Sequence, residues 1–186
     1  MPYLKGNLHV HTTFSDGVNT LEEMAAAYQD LGFDFIAITD HDFLVRQGYW
    51  ESIPESNGNL LILRGIELEY PPLDYQHISK IVGDTETLFI LNHPGQYGLS
   101  IHRLKQQIEM ASRRMPIHCV EITEKGIYTK QYDTPRISLP KVATDDAHSI
   151  HECGRAWIEV FSARERDAIL QAVKKGNFQI QYKSSR

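Results

Sequence analysis

Asn7-Leu8-His9-Val10-His11-Thr12-Thr13-Phe14-Ser15-Asp16-Gly17 puts two histidines, two residues apart, at the end of a short apolar run. Side chains alternate across a strand, so a strand here sends both imidazoles to one face. Thirty residues on, Phe35 to Thr39 is a second apolar run, closed by Asp40-His41. Near the other end, Lys141-Val142-Ala143-Thr144 leads into Asp146-Ala147-His148, which repeats the two-residue spacing. A lone His-x-His pair occurs by chance. Two pairs of this kind at strand ends point to a metal site.

Strand and helix alternate outward from these runs. Thr20-Leu21-Glu22-Glu23 reads as a capping box opening a helix with Leu21, Met24, Ala25, Tyr28 and Leu31 at helical spacing, stopped by Gly32. Further strands are expected at 60–68, 77–82, 88–91, 118–122, 141–145 and 156–161, the last of these the final strand. Helices are expected at 100–114 and 164–175. Residues 42–58 and 123–140 are long connections, of the kind that carries function or moves. The alternation predicts a parallel α/β sheet. Candidate ligands fall at so many strand ends that a closed or nearly closed β/α barrel brings them together more easily than one crevice of an open sheet. The chain is short for eight β/α units, so seven strands with irregular helices are expected.

Composition bounds the rest. A chain of 186 residues with 41% hydrophobic and 23% charged residues reads as one soluble globular domain, residues 1–186, able to bury a core. The net charge of −5 offers no basic footprint for duplex nucleic acid, but leaves room for a small phosphorylated ligand. Cys119 and Cys153 are too few for a disulfide framework and read as reduced thiols of a cytoplasmic protein. No apolar stretch has the length of a membrane span, and no signal peptide precedes the first strand.

At these residues the chain resembles the PHP family, the polymerase-and-histidinol-phosphatase domain. The matching motifs are His-Val-His with Ser15-Asp16-Gly17, Thr39-Asp40-His41, Gly65-Ile66-Glu67, His77, Asn92-His93-Pro94-Gly95 and Asp146-Ala147-His148. They run in order from residue 7, and the resemblance extends to about residue 161. It implies a distorted seven-stranded β/α (TIM-like) barrel with two or three divalent ions, manganese, iron or zinc. Carried over by position, His9, His11, Glu67 and Asp146 hold one ion. A second shares Glu67 and adds His77 and His93, and a third takes Asp16, His41 and His148. Glu69 has the strand parity of Glu67, and the Gly-x-Glu context favours Glu67. His77 has the alternative of an ordinary strand histidine. Asp40 reads as a residue that orients a ligand. Glu121 either faces the metals or is structural.

The implied activity is a metal-dependent phosphoesterase in which a hydroxide bridged between metals attacks phosphorus. Divalent ions set against the carboxylates of Asp16, Glu67 and Asp146 leave the filled site net positive, which favours a phosphate dianion. Asp40 and His151 are candidates for the general acid, and Arg155 for a phosphate contact. Lys125, Tyr128, Lys130, Tyr132 and Arg136 make the 123–140 segment either a substrate rim or a solvated loop. The leading expectation is a small phosphomonoester, nucleotide or sugar phosphate. The alternatives are a single-strand nuclease, a non-catalytic PHP-like binding domain and a metal hydrolase of the amidohydrolase type.

Overall fold

The computed structural model describes residues 3–183. Its strands are β1 (Tyr3–Val10), β2 (Phe35–Ile38), β3 (Ser56–Asn57), β4 (Leu60–Tyr70), β5 (Gln76–Val82), β6 (Thr87–Leu91), β7 (Cys119–Glu121), β8 (Thr123–Glu124), β9 (Ile127–Tyr128), β10 (Lys141–Val142), β11 (Ala156–Phe161) and β12 (Phe178–Tyr182). The helices are α1 (Leu21–Asp30), α2 (Tyr49–Ser52), α3 (Ile101–Ser112) and α4 (Arg166–Lys174).

Seven strands form the staves of a nearly closed barrel in the order β10-β7-β6-β5-β4-β2-β1. Past β10 the chain returns to β1: Val10 bridges Ala147, and His11 N–H donates to Ala147 O at 2.9 Å. At the opposite end β1 pairs with β11 instead, and β11 with β12, both antiparallel. The Asn7 side chain spans the fork. Its Nδ2 donates to Ala156 O at 2.9 Å, and its Oδ1 accepts from Asp145 N–H at 3.4 Å and His9 N–H at 3.2 Å.

Two expectations are corrected. The sheet is mixed, because β5 runs antiparallel to both of its neighbours, β4 and β6, while β1, β2, β4 and β6, β7, β10 are parallel sets. The links β4–β5 and β5–β6 are too short for a crossover helix, so the chain can only reverse. The strand at 156–161 is not the last. Phe178-Gln179-Ile180-Gln181-Tyr182 adds β12 after the final helix.

Alternation within the staves sets the layers. Leu4, Leu8, Phe35, Ala37, Leu63, Ile81, Leu88, Ile90, Cys119 and Val142 fill the barrel with Ile169, Leu170 and Val173 of α4 beneath them. Gly6 belongs to this layer: a Cβ there would sit 2.0 Å from the Phe35 ring, so the aromatic occupies the place of a side chain. On the outside, α1 lays Leu21, Met24, Ala25 and Tyr28 over Val10, Ile36, Ile38 and Ile62. Its capping box forms as the sequence indicates. Helix α3 buries Leu104 and Ala111 against Ile78, Leu91 and Val120, with Leu99 and Ile101 packed half-buried beside them. No helix among the described residues is long and apolar enough to cross a membrane.

At the closed end, Asp167 in the first turn of α4 clamps the β5–β6 turn. It accepts from Asp84 N–H at 2.7 Å, Thr85 Oγ1 at 2.6 Å and Glu86 N–H at 3.1 Å. The Thr85 hydroxyl, with these backbone donors, lowers its carboxyl to about 2. A carboxyl lowered on folding stabilises above its unfolded value of about 4 and loses that contribution as pH falls toward the folded value. The urea midpoint of the native chain should therefore exceed that of Asp167→Asn at pH 5. The gap should narrow between pH 4 and pH 2; a gap constant over that range refutes the assignment.

Candidate metal centre

All nine expected ligands converge at the mouth of the barrel, where β1, β2, β4, β6, β7 and β10 end and β5 begins. The antiparallel direction of β5 explains why His77 lies at a strand's start yet joins histidines that follow strand ends. Strand β1 has an irregular register against β2 between Asn7 and Val10. Leu8 faces the barrel core while Val10 packs outside under α1, so alternation slips by one residue. A bulge of this kind re-aims side chains, and here it turns His9 and His11 inward.

Glu67 is at the centre, 1% exposed. Its Oε1 lies 3.2 Å from His9 Nε2, 3.2 Å from His77 Nδ1 and 3.1 Å from His93 Nε2. Its Oε2 lies 3.4 Å from His11 Nε2 and 3.0 Å from His41 Nδ1. Glu69 is half-buried, and its backbone N–H goes to Asp42 Oδ1, so Glu67 is the glutamate among the histidines. Asp146 Oδ1 sits 3.4 Å from His9 Nε2 and 3.3 Å from His11 Nε2. Asp16, the exposed member, faces His11 at 3.5 Å, His41 at 3.6 Å and His148 at 3.3 Å.

The arrangement is unsatisfied without a cation. The Nε2 atoms of His9 and His11 face each other at 3.1 Å. His9 Nδ1, His41 Nδ1, His93 Nδ1 and Glu67 Oε2 are buried without a hydrogen bond. Carboxylate oxygens approach His9 Nδ1 at 3.4 Å and His41 Nδ1 at 3.0 Å, but in directions that make none. Buried polar atoms are normally paired. Four tight groups of potential ligands result: His11, Asp16, His41 and His148; His9, His11 and Glu67; His9, His93 and Glu121; His41, Glu67 and His77. Imidazole and carboxylate without thiolate suit manganese, iron or a catalytic zinc.

Electrostatics follow from this crowding. Burial opposes charge on His9, but Glu67, Asp146 and Glu121 outweigh it and hold the imidazolium well above its usual range. Burial would likewise raise Glu67, yet the charge of His9 and hydrogen bonds from His77, His9 and His93 keep it well below the usual range. Burial brings His41 down to about 4, leaving it a neutral donor near pH 7. Metal ligands must be deprotonated, so a cation entering this site displaces a proton from His9. Titration of the metal-free protein with manganese at pH 7, in two buffers of different ionisation enthalpy, should show release of at least one proton. Apparent affinity should fall as pH is lowered; a pH-independent affinity contradicts the coupling.

Around the ligands lies a layer that sequence reasoning only partly identified. Asp40, fully buried, accepts from Thr12 N–H at 2.8 Å, Thr12 Oγ1 at 2.9 Å and Ser15 Oγ at 2.5 Å. It thereby holds the turn that carries Asp16. Gly17 closes that turn against the His11–Thr12 backbone, where a Cβ would meet atoms at 2.8 Å. Glu121 is fully buried. Its Oε2 accepts the His93 N–H at 2.9 Å and lies 3.4 Å from His9 Nδ1, while its Oε1 meets the hydroxyls of Thr123 and Thr144. Its signal was a charge ending an apolar strand.

Asn92 Nδ2 donates to Glu67 Oε1 at 2.7 Å and to Ser79 Oγ at 2.8 Å. His93 and Asp146 take left-handed backbone angles, φ 23° and 48°. Such conformations persist where the surroundings over-determine them. The structure does not bring His151 or Arg155 into the cluster. His151 is exposed on the turn Ile150–Glu152, and Arg155 Nη1 reaches Lys125 O at 3.4 Å and Glu152 Oε1 at 3.5 Å. In the 123–140 segment Tyr132 is buried, its hydroxyl bonded to Pro94 O and Leu99 O, so it is a structural residue.

Known proteins resemble this chain to different extents. The chain is 34% identical over 88 residues to the DNA polymerase/3'-5' exonuclease PolX of Bacillus subtilis, a match covering 39% of this chain and 15% of that protein. A two-domain protein containing a predicted PHP-like metal-dependent phosphoesterase from Bacteroides vulgatus superposes with a TM-score of 0.69 at 17% identity, over 97% of this chain and 65% of that one. PsfC from Pseudomonas syringae superposes with a TM-score of 0.71 at 13% identity, over 99% and 93%. At these identities the two structures are alike in fold. The chain spans under two thirds of the Bacteroides protein and a small part of PolX. The PHP domain description matches residues 7–139, and a PHP-associated description matches residues 136–178, which includes Asp146 and His148. The first match alone takes in well over half of the sequence and seven of the nine converging ligands, and the chain belongs to the PHP domain family.

Proposed function

We propose that this chain is a metal-dependent hydrolase of phosphoesters, acting on a small phosphomonoester of the nucleotide or sugar phosphate class. One observation carries the reading: the two oxygens of buried Glu67 each face a separate set of imidazole nitrogens. A carboxylate so placed could hold a cation with each oxygen. His9, His77 and His93 would hold a cation on one side of it and His11 and His41 on the other, Asp146 would add to the His9–His11 pair, and Asp16 and His148 would complete a further position with His11 and His41. Divalent ions there supply Lewis acidity, a lowered water pKa and a positive clamp on phosphate oxygens.

The protein's own groups supply order. Glu121 fixes the His93 backbone and places its charge beside His9 Nδ1, Asn92 holds one oxygen of Glu67, and Asp40 holds the 12–16 turn. Such outer partners set ring orientation and ligand basicity. Both oxygens of Asp40 are engaged by Thr12 and Ser15, which suits a positioning residue.

A second reading, cleavage of single-stranded ends, is favoured by the likeness to a protein named as a 3'-5' exonuclease. The net charge of −5 weighs against an extended nucleic-acid track. One experiment separates the two. Metal content is measured by mass spectrometry, and phosphate release from 4-nitrophenyl phosphate and bis(4-nitrophenyl) phosphate is followed with added manganese. About two or three ions per chain with preference for the monoester is the expected result. Preference for the diester favours the second reading, and a chain that takes up no metal overturns both.

A further inference from the structure

A cavity of about 530 Å³ opens beside the metal centre, lined by Phe14, Ser15, Leu44, Arg46 and Tyr49 among others. It shares a wall with the cluster: Ser15 Oγ is 3.4 Å from His11 Nδ1 and 3.3 Å from Asp16 Oδ1. Its other wall leaves directly from a predicted ligand, because Leu44 N–H and Val45 N–H both return to His41 O. Phe14 stands edge-on to Tyr49 at 5.6 Å, and both Phe14 and Leu44 keep more than a third of their surface open. Arg46 is exposed at the rim, and no carboxylate among the described residues pairs with its guanidinium. A slot that sets the Phe14 and Leu44 side chains among the polar groups of Thr13, Ser15, Gln47 and Ser52, with a free guanidinium at its rim, fits an alcohol of mixed polarity near the ester and an anion beyond it.

We infer that this cavity receives the alcohol portion of the substrate, and that Arg46 binds a second anionic group on it. The inference rests on the phosphoesterase reading and narrows its substrate class to phosphomonoesters whose alcohol carries its own phosphate or carboxylate. In the reaction the P–O bond to the alcohol breaks, water oxygen joins phosphorus, and the alcohol leaves with one proton from water. The second anion is unchanged and stays on Arg46. A planar guanidinium takes either anion through paired hydrogen bonds.

The test uses the metal-loaded chain and three aryl esters of similar leaving group: phenyl phosphate, 3-(4-phosphonooxyphenyl)propanoate and hydroquinone bisphosphate. In the native chain, kcat/KM for at least one anion-bearing ester should exceed that for phenyl phosphate by about tenfold or more, the scale of one charge-assisted contact. The ester with the larger ratio identifies the group as carboxylate or phosphate. In Arg46→Gln the ratio should fall toward one, and Arg46→Lys should keep part of it. A native ratio near one, or a ratio unchanged in Arg46→Gln, overturns the inference while phenyl phosphate turnover leaves the phosphoesterase reading standing. Absence of turnover on all three esters by the metal-loaded chain sinks both.

Discussion

Glu67→Gln should lower manganese-dependent turnover of 4-nitrophenyl phosphate by about a thousandfold, the order seen when a preorganised electrostatic group is removed from a catalytic site. It should also lower the metal content by at least one ion per chain. Both carboxylate oxygens are committed, one to His9, His77 and His93 and the other to His11 and His41. Glutamine keeps the shape and one acceptor. Whichever way its amide turns, an NH2 group faces one set of imidazoles, and a donor cannot ligate a cation. If the amide oxygen stays with Asn92 Nδ2, which donates to Oε1 at 2.7 Å, the NH2 is presented to His11 and His41. Loss of the charge also removes the main attraction that keeps His9 protonated in the metal-free chain, so His9 should titrate lower. Turnover within about threefold of native, with full metal content, would remove Glu67 from the bridging position and with it the basis of the proposed function.

The parts of this site that were legible in sequence are those where one residue's chemistry and a strand's alternation suffice. His9 and His11 share a face because they are two apart, and a bulge beneath them does not alter that. Asp146 and His148 follow the same rule. The β5–β6 hairpin was present in the sequence as two strands separated by too few residues for a helix, and β12 as a strict apolar–polar alternation after Gly176. Both were readable from chain geometry and were missed because a repeated β/α pattern was assumed to continue.

Glu121, Asn92 and Ser79 are another matter. Their roles depend on which strand lies beside which, since Glu121 meets His9 only because β7 and β1 flank β10 where the barrel closes. Asn92 meets Glu67 and Ser79 only because β6, β5 and β4 are adjacent. Sequence spacing holds no information about such pairings. The cavity at Arg46 is of the same kind, formed by two loops that are distant in sequence and brought together by His41 and Ser15.

Asp145→Ala should cost about 3–5 kcal/mol of folding stability, comparable to breaking a buried charged network. That is a large share of the roughly 5–15 kcal/mol that holds a domain folded. Asp145 touches no candidate ligand. It is fully buried, and its two oxygens accept four hydrogen bonds: Gly154 N–H at 2.6 Å, Arg155 N–H at 2.7 Å, Ala156 N–H at 2.8 Å and Tyr28 Oη at 2.8 Å. Alanine leaves three backbone donors and a phenol without a partner, each costing about 1–3 kcal/mol when buried, offset in part because the carboxylate no longer has to be desolvated. Tyr28→Phe removes only one of the four donors and should cost about 1–2 kcal/mol.

Urea denaturation of both variants and of the double variant reads the coupling directly. The double variant should be no worse than Asp145→Ala by the full Tyr28→Phe increment, because the phenol's partner is already gone. A cost below about 1 kcal/mol for Asp145→Ala, within the range of ordinary surface substitutions, contradicts the network. The next residue, Asp146, holds φ 48° with its carboxylate turned to His9 and His11. That backbone conformation is held from one side by the Asp145 network and from the other by the Ala147 bridge to β1. The folded fraction of Asp145→Ala should therefore bind metal more weakly than the native chain, although no ligand has been altered. Native metal affinity in that fraction would show that Asp146 is held by the β1 bridge alone.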